Sequence, residues 1–320
     1  MTQVESRPRD ARRTQGSSEP LITVITPAFG VEPYLEAAMR SVLSQSHRRL
    51  EYVVVDDGSP DGTLDVARRV AATDERVTVL SIAHAGSSAA RNAGLQLARG
   101  EFVAFLDGDD VWAPRFLETM VDHLLTAPAG VVAAFCRSQL FDERGDLHVH
   151  DFDPGPYSLR RLLALWNPAG NGSCLLLRRS ALLRAGPFDE TLPSAVDLDM
   201  WLRMLETSAG HRFRGVSEVM VRYRRHAASM SADRSARFDG LFAIASRFGR
   251  RLGAYERRCL SYPILMGLDQ GRVAQARRLY LAALPLAPLF ALVDPGWRRA
   301  TRRLLRAALV PHHPGSDCRC

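Results

Sequence analysis

At 320 residues, with 46% apolar and 24% charged residues, the chain is long enough for one large α/β domain with an appendage or for two modest domains, and it can bury a proper core. Its formal net charge of +7 comes from 42 basic residues, all of them arginine, against 35 acids. No uninterrupted apolar run of about 18 residues occurs, and the segment up to Pro20 is polar and Arg-bearing, so neither a membrane span nor a secretory leader is expected. Cys136, Cys174, Cys259, Cys318 and Cys320 show no paired-ligand spacing beyond the terminal Cys-Arg-Cys, which argues against a zinc cage or a disulfide framework and fits a reducing cytoplasm.

Residues 1–19 read as a disordered segment. Leu21–Thr26 is then a β-rich run closed by Pro27, and Glu32–Gln45 has helical spacing through Leu35, Ala38, Met39 and Val42. Leu50–Val55 predicts a second strand ending in the turn Asp56-Asp57-Gly58-Ser59, with a helix over Thr63–Ala72. Arg76–Ile82 and Ser87–Ala98 repeat the pattern, with Gly100 as the helix stop. Phe102–Leu106 predicts a fourth strand, running into Asp107-Gly108-Asp109-Asp110 and a helix that begins near Pro114. Strand alternating with helix implies a mostly parallel sheet with right-handed crossovers, so the polar groups after the strands, Thr26, Asp57, His84 and Asp107/Asp109, should converge on one crevice. Beyond Val131–Phe135 the pieces shorten: a helix at Ser158–Trp166, a strand at Ser173–Leu177, a helix at Asp197–Glu206 and a strand at Glu218–Tyr223. From Ser235 onward the chain reads as helices, with Pro263, Pro285, Pro288 and Pro295 as breaks.

Asp107-Gly-Asp109 is the sharpest local feature. Two carboxylates separated by one small residue, directly after an apolar strand, suit Mg²⁺ or Mn²⁺ shared with substrate phosphates; an isolated Asp/Gly turn of this kind would be no more than a turn. Asp197 opens an amphipathic helix and can serve as a general base, but Ser194-Ala-Val-Asp197 also has capping-box spacing, and both readings stand.

Several stretches form an ordered set: LITVITPAFG (21–30), SVLSQSHRRLEYVVVDDGSPDGT (41–63), ARNAGL (90–95), ARGEFVAFLDGDDVWAP (98–114), GPFDE (186–190), DLDMWLRM (197–204) and YRRHAASMS (223–231). In order and spacing this set resembles the family-2 glycosyltransferases of the GT-A fold over about residues 21–231. The resemblance implies an α/β fold with a mostly parallel sheet flanked by helices, a Rossmann-like nucleotide-binding half and inverting transfer from a nucleotide-sugar donor. It puts Asp57 on the base or ribose and Arg91 in the nucleotide pocket; Thr26, Pro27 and His84, at or beside strand ends, are further donor-binding candidates. Asp109 with Asp107 would hold the metal on the donor diphosphate, and Arg224 and His226 would lie in a segment that closes over the donor. Asp197 matches the second acid of the family's Glu-Asp motif and would be the catalytic base, while Val196 replaces the first acid.

These readings divide the chain into residues 1–19, a transferase domain over 20–233 and a helical region over 234–320. The last region holds 16 Arg against 5 acids, and Leu279–Val293 within it is strongly apolar but too short to span a bilayer. Flanked by Trp297, Arg298 and Arg299, it reads either as an interface-lying membrane anchor or as part of a bundle packed on the transferase domain. The expected partners are a nucleotide-sugar donor, a glycan or lipid-linked acceptor and an anionic membrane surface, with no nucleic acid; the expected location is the cytoplasm or the cytoplasmic membrane face. A nucleotidyltransferase would want a glycine-rich basic loop after the first strand, which Pro27-Ala-Phe-Gly30 does not supply, and a non-catalytic binding protein would be favoured only by loss of Asp109 or Asp197.

Overall fold

The β-branched run after Leu21 forms β1 (Ile22–Ala28), and the following segments alternate as the spacing predicts: α1 (Glu32–Leu43), β2 (Leu50–Asp56), α2 (Thr63–Ala71), β3 (Val77–Ser81), α3 (Ser87–Leu97) and β4 (Phe102–Phe105). These elements belong to a computed structural model that describes residues 19–152, 154–165, 171–226, 229, 233–248, 260–283 and 295–309. β1 pairs in parallel with β2 and β4, and β2 with β3. Residues such as Ile22, Val24, Ile25, Val54 and Val103 are buried on both faces of this block, as a parallel sheet covered by helices requires. β1 continues through Pro27, which lies opposite Val55. On the β4 side the last bond runs from the Leu106 N–H to the Ile25 carbonyl at 3.0 Å; the next donor would be Pro27, which has no N–H, and the β1–β4 ladder stops there.

The second half is more mixed than the first. β5 (Val111–Trp112) and α4 (Phe116–Leu125) precede β6 (Val131–Asp142), β7 (Gly145–His150) and α5 (Leu159–Leu165). A 3-10 turn at Gly172–Cys174 leads into β8 (Leu175–Arg178), α6 (Arg179–Ala185), α7 (Val196–Glu206) and β9 (Arg212–Arg224). The nine-stranded sheet has the order β3-β2-β1-β4-β8-β6-β9-β5, with β7 attached to β6. β8 is antiparallel to β4 and β6, whereas β9 runs parallel to β6 and antiparallel to β5. The strands expected at Val131–Phe135 and Glu218–Tyr223 are in fact arms of 12 and 13 residues. Their pairing runs out to Phe141–Arg224, which carries the end of β9 back toward the Asp107–Asp110 turn.

The chain closes with α8 (Arg234–Phe248), α9 (Ser261–Asp269), α10 (Val273–Ala283) and α11 (Pro295–Leu309). Leu241, Ile244, Ala245 and Phe248 of α8, with Ile264, Ala276, Leu279 and Ala300, join the same apolar core as the sheet. Pro263 does not break α9; it sits in the first turn, where helix N–H groups lack intrahelical partners anyway. Pro295 opens α11. Pro285, Pro288, residues 1–18 of the expected N-terminal segment, residues 284–293 of the apolar stretch, Cys259, Cys318 and Cys320 lie outside the described residues. Among the described residues, no helix is long and apolar enough to cross a membrane.

Candidate active site

A cleft of about 440 Å³ opens at the C-terminal edge of the parallel strands, with Pro27, Phe29, Asp57, His84, Arg91, Asp107, Asp109, Tyr223 and His226 in its lining. Its position is the one that open α/β topology dictates. Asp57, one residue past β2, is only 2% exposed, and its two carboxylate oxygens accept from the backbone N–H groups of Ala85 at 2.8 Å and Gly86 at 2.9 Å. The β3–α3 loop thereby fixes the carboxylate against the cleft wall. His84 places Nδ1 3.0 Å from Asp57 Oδ2 and stacks its ring on Phe29 at 4.1 Å between centroids. Gly58 adopts φ +67°, and a Cβ there would lie 2.8 Å from the His84 nitrogen, so both backbone conformation and close approach call for glycine.

The turn after β4 gathers carboxylates. Asp107 Oδ1 accepts from Arg91 Nη2 at 2.8 Å, and Asp109 Oδ2 lies 3.0 Å from His226 Nε2. Arg224 donates from Nε to the Asp109 carbonyl at 3.0 Å, while its guanidinium covers the rings of Tyr34 and Phe141. Burial and then the Asp107 charge push the Asp109 carboxyl above its ordinary range, with His226 pulling the other way. Asp110, which the sequence reading passes over, is fully buried and accepts from Ser173 Oγ at 2.6 Å, Asn171 Nδ2 at 2.8 Å and the Arg224 N–H at 2.9 Å. Burial, then Asp109 and Asp107, hold its carboxyl well above the usual range. The only signal for Asp110 was its place in a run of acids after a strand, and nothing in the sequence names its partners.

Asp197 stands behind this cleft, outside its lining, in the first turn of α7. The capping box expected over Ser194–Asp197 is not formed. The N-cap is Ala195, at φ 58° and ψ 25°, without a side-chain cap bond. Asp197 Oδ2 instead accepts from the Gly172 N–H at 3.0 Å, whereas Oδ1 has no hydrogen-bond partner. Burial raises the Asp197 carboxyl, and the Arg91 charge opposes that rise. Arg91, 3% exposed, joins the two regions: its Nη2 lies 2.8 Å from Asp107 and 3.9 Å from Asp197.

Of the predicted residues, Pro27, Asp57, His84, Arg91, Asp107, Asp109 and His226 meet at the cleft, and Arg224 braces it. Thr26 does not reach it; its hydroxyl is buried against Tyr52 Oη at 2.9 Å, on the core side of β1. Phe29 and Tyr223 line the cleft without having been singled out.

The sequence model of the family described as glycosyl transferase family 2 matches residues 23–185. The chain belongs to that family. This family 2 glycosyltransferase is 31% identical over 221 residues to a Bacillus subtilis (strain 168) chain named as the teichuronic acid biosynthesis glycosyltransferase TuaG, covering 68% of this chain and 83% of TuaG. Among solved structures, S. aureus TarS 1-349 in complex with UDP-GlcNAc superimposes with a TM-score of 0.68 at 20% identity, covering 89% of this chain and 88% of that one. The mannosyltransferase PcManGT from Pyrobaculum calidifontis, in complex with GDP-Man and Mn²⁺, gives 0.58 at 24% identity and covers 91% and 87%. At such identities the likeness is one of fold: a mixed α/β sheet flanked by helices, the GT-A arrangement.

Proposed function

We propose that this glycosyltransferase moves a sugar from a nucleoside-diphosphate sugar, a UDP-sugar in our reading, to an acceptor hydroxyl of a polysaccharide, a lipid-linked or other cell-envelope glycan, with inversion at the anomeric carbon. The observation that carries the reading is the convergence of Asp57, Arg91, Asp107, Asp109 and His226 on one cleft, with Asp197 joined to it through Arg91. The envelope acceptor is supported by the name of TuaG, and the donor class by the UDP-GlcNAc and GDP-Man bound in the two solved neighbours.

In this mechanism Asp57, held by two backbone N–H groups, accepts from the base or ribose, beside the Phe29–His84 stack. Asp197 takes the proton of the acceptor hydroxyl as its oxygen bonds to the anomeric carbon and the bond from that carbon to the diphosphate breaks. Asp197 is suited to this because its Oδ1 accepts no hydrogen bond, with the Arg91 guanidinium 3.9 Å away, and its helix start does not use it as a cap. Arg91 keeps positive charge beside the Asp197 carboxyl and opposes the rise that burial imposes on it.

The residues also fit Mg²⁺ or Mn²⁺. Asp109 Oδ2 and His226 Nε2 converge at 3.0 Å, and burial together with the Asp107 charge holds the Asp109 carboxyl above its ordinary range, a strain on its negative charge that a cation relieves. Among the described residues no group of three or more acids, His or Cys could hold an ion by itself, so the donor diphosphate would complete the ligand set, as is usual for such hard cations. Asp109, with Asp107 and His226 beside it, would hold the ion, which supplies neutralisation of charge on the departing diphosphate. In the same reading residues 20–233 form the transferase domain, α8 packs on it, and the helices that follow α8 rest peripherally on the cytoplasmic face of the membrane.

The test is a screen of UDP- and GDP-sugars for binding and hydrolysis with Mn²⁺ and Mg²⁺. Asp109→Ala should abolish metal-dependent donor binding while the fold persists. Asp197→Asn should keep donor affinity and lose turnover by on the order of 10²–10⁴-fold. Donor binding with unchanged metal dependence in the first variant, or equal loss of affinity and rate in the second, would overturn these assignments.

A further inference from the structure

Asp197 enters α7 through an entry that local sequence does not stabilise. Ala195 is the one non-glycine residue with positive φ among the described residues, and L side chains avoid that conformation unless the surroundings impose it. No side chain caps the helix start either. What presses on this entry comes from beyond residue 233. Gly240 of α8 lies so close to Ser194 that a Cβ would fall 2.3 Å from the Ser194 carbonyl oxygen and 2.8 Å from its carbon. Two turns further along α8, Arg247 donates from Nη1 to Asp199 Oδ1 at 2.7 Å, while the other Asp199 oxygen takes Arg203 Nε at 2.7 Å. Asp199 is 1% exposed, so its charge is held by these two arginines and not by water.

Arg247 also reaches the other side of the site. It stands 3.7 Å from Asp189 Oδ2, in the loop before α7. That loop is bound to α3 by Asn92, whose amide donates to the Phe188 carbonyl at 3.0 Å and accepts from the Phe188 N–H at 2.8 Å, and by Ser88, whose hydroxyl donates to the Asp189 carbonyl at 3.1 Å. Arg91, the residue between the cleft and Asp197, lies on the same helix α3. α8 is itself anchored by Phe238, Leu241, Ile244 and Phe248, all buried.

We infer that α8 is part of the catalytic unit and that Gly240 and Arg247 are positioning residues for Asp197, one fixing the chain entry into α7 and the other fixing α7 against α3. The inference rests on the reading of Asp197 as the base. A base displaced by a fraction of an ångström loses alignment with the acceptor hydroxyl while the nucleotide contacts on β2, α3 and β4 stay in place.

The experiment uses the full-length chain. Turnover is nucleoside diphosphate released from a mixture of UDP-GlcNAc, UDP-glucose, UDP-galactose and GDP-mannose with Mn²⁺, and binding is read with UDP and GDP plus Mn²⁺. Arg247→Met, which leaves Asp199 paired with Arg203, and Gly240→Ala should each slow turnover by on the order of 10–100-fold with nucleotide affinity unchanged. Arg247→Lys should restore part of the rate. In an Asp197→Asn background, Arg247→Met should add almost no further loss, because the two act as one unit. Losses that multiply in the double variant, or that appear equally in nucleotide affinity, make α8 a structural support only and overturn the proposal. Should Asp197→Asn alone retain full turnover, the base assignment fails first and the proposal falls with it, a pattern that no outcome of the Arg247 and Gly240 variants can imitate.

Discussion

Three donors reach the Asp110 carboxylate, one each from the side chains of Asn171 and Ser173 and one from the backbone of Arg224. Ser173 in turn accepts from the Asp107 N–H at 3.0 Å, so the acidic turn, the 3-10 turn and the end of β9 are fastened at one buried point. Removing the carboxylate leaves those donors without water to replace it, at about 1–3 kcal/mol for each buried group left unpaired. Asp110→Ala should therefore lose several kcal/mol of unfolding free energy and, because Arg224 and His226 are then free to move away from Asp109, weaken metal-dependent donor binding as well. A urea midpoint equal to that of the parent chain would contradict this. Legibility at this scale followed from position. Asp57, Arg91, Asp107 and Asp109 could be read because each sits at a strand end or inside a motif whose geometry is fixed by a parallel sheet. Thr26 was misplaced because side chains alternate across a strand, and one position decides between cleft and core. The capping box at Ser194–Asp197 failed for a backbone reason, the left-handed Ala195, which no spacing rule anticipates.

The helix α3 delivers Arg91 to the site and lies very close to the sheet. A Cβ on Gly94 would meet Ile25 Cγ2 at 2.5 Å and Val55 Cγ2 at 3.4 Å, so the helix rests in contact with β1 and β2 at a glycine three residues beyond Arg91. Gly94→Ala should force α3 outward and cost about 1–3 kcal/mol, the usual penalty for an added methyl in a packed core, with weaker nucleotide binding because Arg91 moves with the helix. Chemical denaturation and UDP titration with Mn²⁺ check both effects; an unchanged or raised midpoint would show that the sheet gives way without cost. The alternating half of the fold, β1 through β4, was legible because buried strands and amphipathic helices have different periods. β5 has two residues and no period to detect, and β7 is exposed along nearly its whole length and offers only Leu147 and Val149 as alternating apolar positions, too short a pattern to mark a strand. β9 was seen only in part, since Arg212, Arg214, Glu218 and Arg222 interrupt its apolar positions, and its pairing with β6 is set by tertiary contact and not by local preference.

Charge divides the molecule more sharply than packing does. Residues 234–320 hold 16 Arg against 5 acids, while residues 1–233 hold 26 Arg against 30 acids. In α9–α11 the inward positions Ile264, Ala276, Leu279 and Ala300 are buried in the common core, so the bundle expectation for these helices is met at those positions. Their other positions leave Arg277, Arg278, Arg299 and Arg302 exposed, together with Val273, Leu281 and Tyr262. On α10 the exposed Val273, Arg277 and Leu281 recur four residues apart, so one face of that helix sets a cation beside apolar side chains, the combination an interfacial helix uses. If this surface holds the enzyme against an anionic membrane, where a lipid-linked acceptor would lie, each arginine near the surface contributes about 1 kcal/mol, screened by salt. Apolar contact must supply the part that salt does not remove. The full-length chain should co-sediment with phosphatidylglycerol-containing vesicles, more weakly with pure phosphatidylcholine, and retain a fraction of the binding at high salt. Replacing Arg277, Arg299 and Arg302 together with Gln should lower partitioning at low salt by on the order of 100-fold, corresponding to about 3 kcal/mol, while leaving the salt-resistant fraction in place. The substitutions leave Ala276, Leu279 and Ala300 in the core, so the melting temperature should hardly move. Binding that is indifferent to anionic lipid, or a triple variant that partitions like the parent, would remove the membrane role from this surface and leave α9–α11 as packing elements alone.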